Sequence, residues 1–542
     1  MLQTIFAYLP IVLLIFLMTK KNSMPSFKAL PLTAFIVYLI MLIIFRQDPN
    51  LIHANVLKGL LVAWTPVLII AGAIFLFKTM EATGGLSVIK VWLNSISDNK
   101  IAQLMIVGWA FPFLIEGASG FGTPAAIAAP VLVGLGFPPV RVAILTLIMN
   151  SVPVSFGAVG TPTWFGFSTL TLSHAEIMEI GIKTSILNST AALVIPAIAL
   201  LFVVKPKAVI QNIVFILLSV VITVASYIWV STFSYEFPSL IGGLVGLIGT
   251  ALLAKSGFGL SKNPVEVQES VGKSELLHSK TNEQNYTVTG KSLLKASFPL
   301  WGTILLLVLT RISQLGIKPL LTAKSPAFSI GLGSLGEFSL SASGVLGLSQ
   351  IFNTDTSFSH SLLYVPSLIP FGLISLIAFW WYKSSPKIIG DMFRETTQQM
   401  RNPLFALLGA LVFVNLMMMG GDNSAVSLIG KNLANITGNT WQFFSAYLGA
   451  IGSFFSGSNT ISNLTFGGIQ DSIAASLNLK RTTILAMQSV GGAMGNMVCI
   501  NNIVAVASVL ALGNKEGFIL KRTVWAMLVY GIIVGVVSVI VW

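Results

Sequence analysis

The stretch FLIEGASGFGTPAAIAAP, residues 113–130, sets one carboxyl group, three glycines and two prolines inside an apolar run that extends from 101 to 137. Two full membrane crossings and a turn need about 40 or more residues at ~20 per helix. The run is too short for that, so 101–137 reads as a re-entrant hairpin with its tip at Glu116–Gly122, entering and leaving on the cytoplasmic side. Thr123 followed by Pro124 fits an N-cap and a first helical position, where a missing N–H costs nothing.

Composition agrees with a membrane setting. Of 542 residues 54% are hydrophobic and 9% charged, with mean hydropathy +0.86, where a soluble domain carries about 25% charged residues. A soluble multi-domain enzyme is excluded. Strand-period alternation is absent, which excludes a β-barrel. The fold class is an all-α polytopic membrane protein in the lipid bilayer. The net charge of +13, from 31 Lys and Arg against 18 Asp and Glu, reports basic residues kept in cytoplasmic loops, not nucleic-acid binding. Cys499 is the single cysteine and the four histidines lack metal-ligand spacing, so neither a metal nor a cofactor is expected.

Alternating sides from a retained first helix at about 2–18, with Lys20 and Lys21 inside, gives a topology. Helices at about 30–45 and 58–77 lead to cytoplasmic Lys78, Lys90 and Lys100, then to the hairpin. A broken helix over 140–172 is interrupted at Gly157–Phe167 by Gly160-Thr161-Pro162-Thr163, and spans at about 182–204, 209–232 and 239–254 complete an N-terminal half, 1–254. A polar, Lys-rich cytoplasmic linker, 255–295, is disordered by default. The C-terminal half, 296–542, opens with helices at about 296–315 and 361–382 around a Ser/Gly-rich stretch, 325–360, that takes no assignment. Arg311, Lys318 and Lys324 would there lie outside, against the charge rule, whereas Lys383, Lys387, Arg394 and Arg401 return to the cytoplasm. A span at 403–419, a second hairpin at 441–477 entering from outside, a second broken helix at 480–513 and a last span at 518–541 follow. The sum is twelve crossings and two hairpins.

A shift of 340 residues pairs Arg141 with Arg481, Ala110 with Ala450 and Gly117 with Gly457. The same shift pairs the N-cap residues Thr123 and Asn463, and Thr161 with Asn501 at the helix breaks. Hairpins entering from opposite sides make this an inverted-topology repeat, the signature of a secondary transporter. Irregular backbone at membrane depth is tolerated only where protein buries it or water reaches it, so the breaks mark the substrate cavity. Exposed N–H groups and positive helix ends favour an anion, and a small carboxylate is the natural substrate.

Glu116 is the candidate proton carrier, because an intramembrane acid is costly unless partnered or protonated; the alternative is a glutamate holding the shape of its own tip. Candidate substrate ligands are Gly117, Ala118, Ser119, Gly120 and Thr123 at the first tip, and Thr161 at the first break. Ser458, Asn459 and Thr460 at the second tip join them, with Asn496, Asn501 and Asn502 at the second break. For each the alternative is a cap or an interhelical hydrogen bond. Arg141 and Arg481 are candidate carboxylate partners by bidentate pairing, or they snorkel to the interface. Asp355, His360, Asp422 and Asp471 read as lone groups on solvated surface.

The quoted stretch resembles the lactate permease family, as do GAVGTPT at 157–163, GSNT at 457–460 and GNMVCINN at 495–502, and the likeness spans the chain. It implies uptake of L-lactate, often also glycolate, with protons at a bacterial plasma membrane. Ser458-Asn459-Thr460 also looks like the hairpin-tip motif of the ion-transporter superfamily, many of whose members carry dicarboxylates by an elevator motion. That leaves a sodium-coupled carboxylate carrier as the alternative. The first hairpin departs from the pattern, with Ala118-Ser119-Gly120 where Ser-Asn-Thr would stand. An intramembrane enzyme would need a nucleophile with a base or a metal cluster, and no such constellation is present. Helical-hairpin transporters are often dimers, and that analogy alone admits a homodimer.

Overall fold

The structure is a computed structural model that describes residues 2–19, 24–118, 120, 123–269, 289–311, 315–365, 367–510, 512 and 515–542. Among these residues eight helices are long and apolar enough to cross a membrane, nine if the bent pair Pro139–Met149 and Val152–Trp164 is one span. The chain is a polytopic helical membrane protein. It divides into two compact units, Met1–Leu86 with Leu294–Asn435, and Ser87–Leu293 with Ile436–Trp542. Each unit draws on chain from both sides of the linker.

In the first unit, helices Ser26–Ile43, Pro49–Val62 and Pro386–Met418 meet backbone to backbone. A methyl group on Gly59 would stand 2.8 Å from the Cα of Val412, and one on Gly409 would overlap Pro31. Small residues at such crossings gain the close packing that replaces the hydrophobic effect in lipid. Lys387, Arg394 and Arg401 ride on the 33-residue helix Pro386–Met418, which runs on through the expected span at 403–419. Ser385 caps it, accepting from the Ile388 amide at 3.4 Å, and Pro386 takes the first helical position.

The unassigned stretch forms a small antiparallel meander of β1 (Pro326–Gly331), β2 (Glu337–Ser341), β3 (Val345–Ser349) and β4 (Phe358–Ser361), in the order 1-2-3-4. Gly336 and Gly344 turn the chain at φ +105° and +68°, conformations that L side chains avoid. His360, expected on a solvated surface, is instead buried, with Nδ1 2.8 Å from the Thr65 hydroxyl. Burial pushes its pKa below the usual imidazole value.

The second unit contains both interrupted regions. Lys100–Gln103, a π-helical turn at Leu104–Ala110 and Phe111–Ala118 make one fully buried first arm, and Thr123–Gly134 is the arm that follows. Helix Pro238–Ser256 lies on the first arm so closely that a methyl on Gly243 would overlap the Leu114 backbone, and one on Gly117 would overlap Leu240. A second helix pair, Trp441–Ser456 and Asn459–Ser476, packs on Arg481–Asn496 through Gly491 and Gly495, each pressed on a backbone carbonyl, of Ala446 and Ala450 respectively. Side-chain amides lock this group: Trp441 Nε1 donates to Gln470 Oε1 at 2.8 Å, and Gln470 Nε2 donates to Gln488 Oε1 at 3.0 Å.

The linker is held at its start, which corrects the expectation of disorder there. Lys205 N donates to Glu266 O at 3.1 Å, Gln268 N to Val203 O at 2.8 Å, and Glu266 forms an ion pair with Lys205. Residues 270–288 lie outside the described residues.

Gly243→Ala should therefore destabilise the second unit by about 1–3 kcal/mol, the usual cost of overpacking. Gly134→Ala, where an added methyl meets nothing within 4 Å, is the neutral control. Thermal unfolding of the two variants in the same detergent checks the difference.

Candidate functional site

Within the second unit, the two interrupted helix pairs and the broken helices close around a small cavity with room for about one water molecule. Glu116 and Gly120 line it from the first pair, and Val154, Gly157, Ala158 and Pro162 from the first broken helix. Gly457, Ser458, Asn459 and Thr460 come from the second tip, and Asn496 from the end of Arg481–Asn496.

The first break is strained. Ala158, Val159 and Gly160 follow one another at φ +43°, +58° and +68°, and a left-handed β-branched residue such as Val159 is rare. Such positions cost about 1–3 kcal/mol each and persist only where surrounding contacts impose them. Here Thr161 Oγ1 donates to Ala158 O at 2.5 Å and Trp164 Nε1 donates to Val159 O at 3.0 Å, satisfying the carbonyls the turn exposes. Gly160 has no space for a Cβ, which would overlap Tyr235 O.

Glu116, in the last turn of Phe111–Ala118, is 2% exposed. Its Oε2 accepts from Asn150 Nδ2 at 3.0 Å. A methyl on Gly157 would stand 2.5 Å from its Oε1, so the carboxyl group occupies the space this glycine leaves. Among the described residues no Lys or Arg pairs with Glu116, and no basic side chain lines the cavity.

The opposite wall supplies hydrogen-bond donors. Ser458 caps Asn459–Ser476, its Oγ accepting from Ile461 N at 3.4 Å, which leaves its own O–H to donate. The amides of Asn459 and Thr460 belong to the first helical turn, whose N–H groups have no intrahelical acceptor. Asn459 Nδ2 donates to Ser489 O at 2.9 Å, while its buried Oδ1 has no hydrogen-bond partner. Asn496 Oδ1 accepts from Asn502 Nδ2 at 2.7 Å, so the N–H₂ of Asn496 remains for the cavity it lines.

Other expected ligands sit elsewhere. Gly117 and Ala118 are buried in the arm, outside the lining, and Thr161 serves as a cap. Asn502 acts through Asn496, and Asn501 is exposed beside Gly457. Ser119 and the Thr123 side chain lie outside the described residues. Both arginines have other partners. Arg141 donates to the carbonyls of Phe202 at 2.8 Å and Glu269 at 2.6 Å. Arg481 holds both oxygens of Asp471, at 2.6 and 2.9 Å, and Glu176 at 3.1 Å. Asp471 is thus ion-paired, which corrects its reading as a lone surface group. Asn150 is a functional residue that residue type alone does not mark; its signal in the sequence is a pair of polar residues, Asn150-Ser151, closing an apolar run just before Pro153.

The profile of the L-lactate permease family matches residues 3–542. The chain belongs to the L-lactate permease family. It is 49% identical over 533 residues to a putative L-lactate permease of Haemophilus influenzae, covering 98% of this chain and 97% of that one. It is 28% identical to an L-lactate permease of Bacillus subtilis, covering 97% and 93% of the two chains. A glycolate permease of Escherichia coli is 26% identical, over 94% of this chain and 90% of its own. Membership makes the chain a multi-pass membrane transporter.

Gly157→Ala should displace the Glu116 carboxyl without removing it. Overpacking of this kind is expected to lower transport about tenfold or more, with helix content unchanged. Uptake and circular dichroism on the same preparation decide it.

Proposed function

We propose that this chain carries L-lactate, together with glycolate and related 2-hydroxy monocarboxylates, across the bacterial plasma membrane in symport with protons. One observation carries the reading: the ionisable group lining the cavity is an acid, Glu116, and no cation accompanies it among the described residues. Two unit charges of like sign at 4 Å repel by about 4 kcal/mol at an effective dielectric of 20, close to a thousandfold in affinity. A carboxylate enters beside Glu116 only once Glu116 is protonated, and the acid then donates a hydrogen bond to it. Ser458, the Asn459 and Thr460 amides and Asn496 supply the remaining donors, aided by the positive end of Asn459–Ser476. The names of the relatives, lactate and glycolate permeases, support the substrate class.

Sodium coupling is the second reading, and one observation favours it. The buried, unbonded Oδ1 of Asn459 lies in the Ser-Asn-Thr tip and is a carbonyl oxygen of the kind that ligates sodium. Labelled L-lactate uptake into proteoliposomes under an imposed pH gradient, with and without sodium, separates the two. Proton symport predicts accumulation that survives sodium removal and collapses with a protonophore. Glu116→Gln, permanently neutral, is expected to lose accumulation while retaining lactate-for-lactate exchange at a rate independent of pH. Accumulation unchanged in Glu116→Gln would leave Glu116 a structural residue of the tip.

We infer further that the two helix pairs are re-entrant hairpins opening to opposite sides, as an inverted repeat requires. Gly134 and Ser476, both exposed, end the two second arms. In intact cells an impermeant maleimide should label Ser476→Cys at once, and Gly134→Cys only after permeabilisation. Labelling of both from outside would overturn the inversion.

A further inference from the structure

Asn150 is 2% exposed and ends helix Pro139–Met149, where it faces Glu116. Its Nδ2 donates to Glu116 Oε2 at 3.0 Å, whereas its Oδ1 is buried without any hydrogen-bond partner. An orphaned amide oxygen in a membrane core is costly. A site that must also accommodate a carboxylic acid gives that orphan a use. A carboxylate only accepts, a carboxylic acid must donate, and a side-chain amide offers a donor and an acceptor related by half a turn about its last torsion.

We propose that Asn150 is a positioning residue that serves Glu116 in both of its protonation states, donating through Nδ2 to the carboxylate and accepting through Oδ1 from the acid. Turning the amide exchanges one hydrogen bond for another. Glu116 keeps its place at the cavity whether or not it carries the proton, and Asn150 always leaves one polar atom unbonded. This inference rests on the reading of Glu116 as the coupling acid.

No other charge competes for the role. Of the elements packed on the Glu116 arm, Leu104–Ala110, Thr123–Gly134, Val152–Phe156 and Gly157–Trp164 contain no charged or titratable side chain. Pro238–Ser256 carries Lys255 in its last turn, away from the Gly243 and Leu240 contacts with the arm. Nearby Tyr227, which packs on Phe113, is bonded to Asn188. On Asn150's own helix Arg141 lies more than two turns away, donating to the Phe202 and Glu269 carbonyls.

The test is the pH profile of lactate-for-lactate exchange in proteoliposomes with equal pH on both sides. A hydrogen bond to an ionised group is about twice as strong as one between neutral groups. Its loss in Asn150→Leu, close in shape and unable to hydrogen-bond, therefore favours the acid. The pH of half-maximal exchange should rise by about one unit. Asn150→Asp, which keeps the polar shape if the leucine variant folds poorly, should instead lower it, because two adjacent carboxyl groups share one proton readily and the substrate anion enters only when both are protonated. In a Glu116→Gln background the profile should be flat, and Asn150→Leu should leave it flat. A wild-type midpoint in both Asn150 variants, with Glu116→Gln flat, overturns the positioning role and spares the coupling reading. A wild-type profile in Glu116→Gln overturns the coupling reading itself and this inference with it. Infrared spectroscopy gives a readout independent of transport. The acid C=O band that disappears in Glu116→Gln should move to higher frequency in Asn150→Leu, and an unmoved band counts against the proposal.

Discussion

A peptide group at membrane depth has no water to bond, so every place where a helix stops there must be closed by other protein groups. The two broken regions of the second unit meet that demand one carbonyl at a time. The left-handed turn at Ala158–Gly160 exposes carbonyls that Thr161 and Trp164 take up. Pro162 O receives Asn463 Nδ2 at 3.0 Å, from the second helix pair. Ser489 O receives Asn459 Nδ2 at 2.9 Å and Ser155 Oγ at 3.2 Å. The Asn463 and Ser155 bonds join the two interrupted regions, while the strained turn itself is held by Thr161 and Trp164, close in sequence. The first-turn amides of Asn459 and Thr460 are the ones left to the cavity, where on the proposed reading the substrate anion completes them.

Packing serves the same end. Glycines set the first arm against Pro238–Ser256 and the second pair against Arg481–Asn496, with backbones in contact. Close contact buries the helix backbones, and the polar side chains along the second pair, such as Gln470, are bonded to neighbouring helices. Charge is confined in a different way. Arg141 and Arg481, at the starts of the two broken helices, are held by carbonyls and carboxylates there. A cation so committed fixes helix ends and does not line the cavity.

Much of the architecture was legible because glycine, proline, serine and asparagine stand out in an apolar chain. The helix breaks beside Glu116 and at Ser458–Thr460 are legible in local composition, since interrupting a membrane helix requires residues of these types. The cap role of Thr161 and the support of Asn496 by Asn502 were not legible, because the same residue types serve both capping and binding. Asn150 is illegible for a related reason: its meaning depends on an acid 34 positions earlier that only the tertiary fold brings within 3.0 Å. The β1–β4 meander was hidden by its brevity. Strands of four to six residues give a weak period-two signal beside helices three to eight times longer. Arg481 shows the limit of reasoning from residue type alone, since a guanidinium suits a substrate carboxylate and Asp471 equally well.

The charge pattern of the cavity bears directly on how coupling arises. A binding site for a monocarboxylate is most simply built around an arginine, and such a site would hold the anion at any working pH. With a fixed cation present, the substrate would compensate its charge and a neighbouring glutamate could stay ionised, so carriage of the anion would cease to require a proton. A cavity with dipolar donors on one wall and a single acid on the other lacks that freedom. Backbone amides, a serine hydroxyl and an asparagine N–H₂ stabilise one negative charge, not two. On the proposed reading either the glutamate or the substrate holds it, and the proton on Glu116 decides which. On the proposed reading, obligatory coupling needs no dedicated gate for protons: it follows from a site that can solvate one anion and contains one already.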